Sequence, residues 1–127
     1  MNITNEEAAV LYRLATQDRL AFQTLSANRD IDLRIVCFHG QQAVEKAIKA
    51  VLVSQGVTFP TTHDLNKLVD LLPAGLAIFP AELDTLRKLN PYAVVFRYDD
   101  REIHTLTRTD ANTMVEQIFA WAEALLG

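Results

Sequence analysis

The sequence predicts an all-α domain, an up-and-down antiparallel bundle of four to five helices. Two long stretches, one toward each end of the chain, carry apolar residues at helical spacing. Apart from Gly127, every glycine and proline lies between Gly40 and Pro91, so the strongest breakers crowd the middle. No pair of convincing strands is present to form a sheet.

The first helix is expected to open with Thr4-x-x-Glu7, which fits a capping box, and to turn Ala8, Leu11, Leu14 or Ala15, Leu20 or Ala21 and Leu25 inward. A second is predicted from about Asp30 to Gln55. Acidic Asp30 and Asp32 suit its positive end and Gly56 its stop. Projected at about 100° per residue, Val36, Ala43, Val44, Ala47, Ile48 and Val51 form a core face. His39, Gln42, Lys46 and Lys49 gather into a polar stripe with Glu45 at its margin. Such a stripe suits either solvent or a phosphate.

Thr61-x-x-Asp64 fits another capping box, which places His63 in the first turn of a helix carrying Leu65, Leu68, Val69 and Leu72. A shorter helix is expected from near Pro80 to Leu89, with Leu83, Leu86 and Leu89 inward. The apolar run from Pro91 to Phe96 is read as helical for want of a strand to pair with. The last helix should open near Thr109-Asp110 and bury Ala111, Met114, Val115, Ile118, Ala122 and Leu125, with Trp121 beside them.

At 127 residues the chain is expected to be one domain, residues 1–127, since no repeat or low-complexity linker divides it. Half of it is hydrophobic and 22% is charged, the profile of a packed domain. A net charge of −4 argues against a uniformly basic surface for free genome or membrane binding. No leader-like N-terminal segment and no apolar run of about 18 residues is present, which predicts a cytoplasmic protein without membrane contact. Cys37 reads as a buried helix residue. No metal or cofactor is predicted: the three histidines lack a metal-binding spacing, and GxGxxG, GK[ST] and Gly-x-Ser-x-Gly are all missing.

The helical period stops between Phe96 and Thr109, leaving Arg97-Tyr98-Asp99-Asp100-Arg101-Glu102-Ile103-His104-Thr105. A guanidinium clamps phosphate and an imidazole moves a proton near neutral pH, the two groups that metal-independent RNA cleavage requires. Arg97 or Arg101 would stabilise phosphate charge and His104 would transfer the proton. Asp18, Lys46, Lys49 and His63 form a second candidate set, a nucleotide pocket between helices. The alternative is a non-catalytic protein-interaction or nucleotide-sensing module.

Four segments together resemble the HEPN family of nucleotide-binding domains: Ala15-x-x-Asp18-x-x-Ala21, the run from Cys37 to Ala50, Thr62-His63-Asp64-Leu65, and Arg97-Tyr98. The resemblance implies a helical bundle, a homodimer, and pairing with a minimal nucleotidyltransferase in which one partner acts as an RNA-cleaving toxin and the other neutralises it. It further implies Arg97 and His104 as the active pair and Tyr98 as a candidate for modification, while Arg101 stays a nucleotide-binding candidate on the chemistry of its guanidinium alone.

Overall fold

The computed structural model describes residues 3–94 and 106–127. Among them run α1 (Glu6–Ser26), α2 (Leu33–Ser54), α3 (Leu65–Asp70), α4 (Leu83–Arg87), a 3-10 turn (Asn90–Ala93) and α5 (Arg108–Leu126). No strand occurs among the described residues, so the all-helical expectation holds.

Side-chain caps set the starts of α1, α2, α3 and α5, in places shifted from the predicted ones. Asn5, not Thr4, caps α1, its Oδ1 accepting the Ala8 N–H at 3.0 Å. Asparagine outranks threonine in this role because its short amide meets the orphan N–H groups more readily. Asp32 caps α2 by accepting from the Arg34 N–H at 2.8 Å. That helix stops where Gly56 takes φ 72°, a backbone angle that costs an L-side chain energy and glycine nothing.

The Thr61 box does not form. Asp64 itself is the N-cap of α3, accepting from Asn66 and Lys67, so His63 precedes the helix and does not lie in its first turn. α4 covers only the centre of the predicted Pro80–Leu89 segment, and Leu83 is 48% exposed instead of inward. Beyond Pro91 the 3-10 turn ends at Ala93 and Val94 is extended; residues 95 and 96 lie outside the described part. Thr107 caps α5, accepting from the Asp110 N–H at 3.0 Å, two residues before the predicted opening.

α2 is the central helix. All six of its predicted core residues, Val36, Ala43, Val44, Ala47, Ile48 and Val51, are fully buried. On α1 the larger side chains Tyr12 and Phe22 occupy the core, while Leu14 and Leu20, two of the inward candidates, are 41% and 56% exposed. Their neighbour Ala15 is buried. The α5 set is buried as expected, with Leu126 replacing the partly buried Leu125 as the innermost leucine of the tail.

α1 runs antiparallel to α2, since Phe22 packs on Gly40 while Asp18, one turn earlier, meets Lys46. Three polar rungs join α1 to α5 in the opposite sense as well. Tyr12 Oη donates to Glu123 at 2.8 Å, Arg19 pairs with Glu116, and Asn112 donates to Ser26 Oγ at 3.0 Å. The Arg19 guanidinium also lies 4.9 Å from the Phe119 ring centroid, so the rung is partly a cation–π contact.

α5 therefore runs parallel to α2, and the chain between them must climb back along the bundle. His63 meets Glu45, Tyr92 approaches Cys37, and Arg108 reaches the Ile31 carbonyl before α2 begins. The third leg of the bundle is thus broken into α3, α4 and the 3-10 turn. Its middle is pinned to α5: Trp121 Nε1 donates to the Ala77 carbonyl at 3.0 Å and Phe79 packs edge-on against the same indole.

The α1–α2 crossing is close because Gly40 has no Cβ; one built there would stand 2.9 Å from the fully buried Phe22 ring. Gly40→Val should lower the free energy of unfolding by about 1–3 kcal/mol through overpacking. Urea denaturation checks this, and an unchanged midpoint would show that the helices can separate without cost.

Candidate functional site

The polar residues of α2 are grouped by their spacing. Gln41, Glu45 and Lys49 recur at four-residue steps and so stand on one face. His39, Gln42 and Lys46 form the adjacent row. Each row is completed by a residue from another segment, Asp18 of α1 for one and His63 for the other.

In the first group Lys46 Nζ donates to Asp18 Oδ2 at 2.5 Å. His39 Nδ1 stands 3.8 Å from Asp18 Oδ1, beyond hydrogen-bond range. That nitrogen is buried and has no hydrogen-bond partner among the described residues. The imidazole packs edge-on against Phe38, with ring centroids 5.3 Å apart.

The second group is built on a buried carboxylate. Glu45 is 5% exposed, and both oxygens are engaged. Oε1 receives Gln41 Nε2 at 3.0 Å and His63 Nδ1 at 2.9 Å, while Oε2 receives Lys49 Nζ at 2.9 Å. Gln41, itself fully buried, also donates to the His63 carbonyl at 3.2 Å and accepts from Gln42 at 2.7 Å, which links the two rows. Lys49 lies 5.6 Å from the Phe59 ring centroid.

The chemistry of these contacts fixes the histidine. A carboxylate only accepts, so the His63 Nδ1–H must be the donor. In neutral imidazole the lone pair then resides on Nε2, and the His63 side chain is 66% exposed. Neither lysine, by contrast, is an uncommitted cation, since each faces its own carboxylate. Burial pushes the Glu45 carboxyl up, but the hydrogen bonds from Gln41, Lys49 and His63 outweigh it and hold the group below its ordinary value.

Of the predicted site residues, Asp18 and Lys46 thus fall into one ion-paired group, and Lys49 and His63 into another built on Glu45. Arg97, Tyr98, Arg101 and His104 lie outside the described residues. Glu45, which the sequence places at the margin of a solvated stripe, is instead the centre of its group, and Gln41 is absent from the predicted site. The four-residue recurrence of Gln41, Glu45 and Lys49 is the signal that could have found them.

A second concavity, lined by Ile3, Thr4, Ala9, Tyr12, Arg13, Thr16 and Glu123, has its Tyr12 and Glu123 committed to each other. Among the described residues no three His, Cys, Asp or Glu side chains converge as a metal site would require, and no helix is long and apolar enough to cross a membrane.

Because the folded pKa of Glu45 lies below its unfolded value, the stability it contributes is complete above about pH 4.5 and is lost as pH falls through the folded value. The difference in unfolding free energy between the wild type and Glu45→Gln should therefore shrink between neutral pH and about pH 3. Chemical denaturation across that range measures it. A constant difference would mean that the carboxylate is not held ionised by its partners.

No curated protein matches the sequence. The crystal structure of TT1696 from Thermus thermophilus is similar over 96% of this chain and 100% of that one, with a TM-score of 0.74 and 23% identity. At that identity the likeness concerns the fold. The HEPN domain family matches residues 8–125, a span that holds α2, the Glu45 group and the Asp18 group together. The chain belongs to the HEPN domain family.

Proposed function

We propose that this HEPN domain binds nucleotide or RNA, works as a homodimer beside a minimal nucleotidyltransferase, and cleaves RNA without a metal ion as the toxin of such a pair. The observation that carries the reading is His63, exposed at the surface and oriented by a buried carboxylate on the face that also holds Lys46 and Lys49. Membership of the family supports it. The half-exposed Val10, Leu14 and Leu20 of α1 and Ile35 of α2 support self-association, since such apolar surface gains from being covered.

In this reading Asp18, Lys46, Lys49, His63 and Arg101 contact the nucleotide, and Tyr98 is where the partner enzyme would modify the chain. Arg97 and His104, with six residues between them, are the active pair. The ribose 2′-oxygen attacks the adjacent phosphorus, the guanidinium stabilises charge on the phosphoryl oxygens, and His104 transfers a proton. The commitment of both α2 lysines to carboxylates favours one second reading, a non-catalytic interaction or nucleotide-sensing module.

Incubation of the purified chain with a mixed RNA pool tests the proposal. His104→Ala should cleave about 100-fold more slowly or worse, the usual loss when a proton-transfer group is removed. Equal cleavage by both proteins would exclude His104 from the mechanism. No cleavage by the wild type, together with no calorimetric heat from ATP, GTP or AMP, would leave the interaction module. In the same preparation, a sedimentation mass twice that of the 14.3 kDa chain is expected for the dimer.

A further inference from the structure

Displacement of a 5′-oxygen by a 2′-oxygen involves two proton transfers at opposite sides of the phosphorus. One proton leaves the 2′-hydroxyl as the new P–O bond forms, and another reaches the 5′-oxygen as the old P–O bond breaks. A single imidazole cannot stand at both sides of an in-line displacement at once, so the two transfers use separate carriers, each a side chain or a water molecule.

We infer that the Glu45–His63 pair is a proton-accepting site for a ribose 2′-hydroxyl, a role that rests on the ribonuclease reading above. With its Nδ1–H given to Glu45 Oε1 at 2.9 Å, neutral His63 presents an unshared pair on Nε2, and no hydrogen bond from a described residue occupies that nitrogen. Nε2 takes the 2′-hydroxyl proton, the 2′-oxygen bonds to phosphorus, and the 5′-oxygen departs and takes its proton from the active-pair histidine or from water. The products are a 2′,3′-cyclic phosphate and a 5′-hydroxyl. The charge gained by the imidazole is met by the Glu45 carboxylate, whose burial strengthens the attraction. Lys49 secures the other carboxylate oxygen and Gln41 binds both the carboxylate and the His63 carbonyl, so Glu45, Lys49 and Gln41 are positioning residues.

The test uses the full chain, a fluorescein-labelled mixed-sequence RNA for cleavage, and its uncleavable 2′-O-methyl counterpart for binding by anisotropy. His63→Ala should lower the cleavage rate about 100-fold or more, a far larger loss than any it causes in binding, and added imidazole should restore part of the rate. Glu45→Gln should cost about tenfold in the wild-type background and nothing further in His63→Ala, because a positioning residue acts through the group it positions. A purely structural loss would instead add to the first. Wild-type cleavage with His63→Ala within about threefold of it would overturn the inference and leave the ribonuclease reading standing. Loss of binding without rescue by imidazole would also overturn it, while failure of the wild type to cleave would overturn both.

Discussion

The arrangement turns on one buried charge. Taking a carboxylate out of water costs several kcal/mol unless nearby donors replace its hydration. Glu45 meets that requirement with an amide, an ammonium and an imidazole, two of them one helical turn away and the third from the chain ahead of α3. Neutralising or removing any donor leaves part of that cost uncompensated by the fold. The demand of Glu45 for partners thus sets where His63 sits and which of its nitrogens faces outward.

The rest of the broken third leg is tied down in the same manner, by polar contacts at the seams of an apolar core. Asn90 accepts the Leu65 N–H at 2.9 Å and donates to Asp64 at 3.2 Å, which locks the 3-10 turn to the start of α3 beside His63. Tyr92 and Leu106, on either side of residues 95–105, are both buried. Arg108 donates to the Ser26 and Ile31 carbonyls, so the start of α5 holds the turn between α1 and α2. The described chain is therefore anchored to the bundle on both sides of residues 95–105.

What is legible in the sequence follows the same physics. The core face of α2 can be read directly, because a long helix repeats its period often enough for the apolar side to stand out. On α1 the choice between Leu14 and Ala15 is open, since adjacent positions differ by a fraction of a turn and the ring of Tyr12 decides which side faces in. Short α3 and α4 have little period of their own and take their limits from tertiary contacts and from the better cap, Asp64 over Thr61. Glu45 is misplaced by the sequence for a related reason. A helical projection shows that a residue lies at the edge of a polar stripe, but not that a segment eighteen residues onward covers it.

The tautomer of His63 tests this account most directly. Long-range proton–nitrogen correlation spectra of the wild-type chain, taken where the ring is neutral, should find the proton on Nδ1 and the lone pair on Nε2, as donation to Glu45 demands. A ring protonated on Nε2 instead would mean that the buried carboxylate does not hold the histidine, and the site built on that contact would not exist.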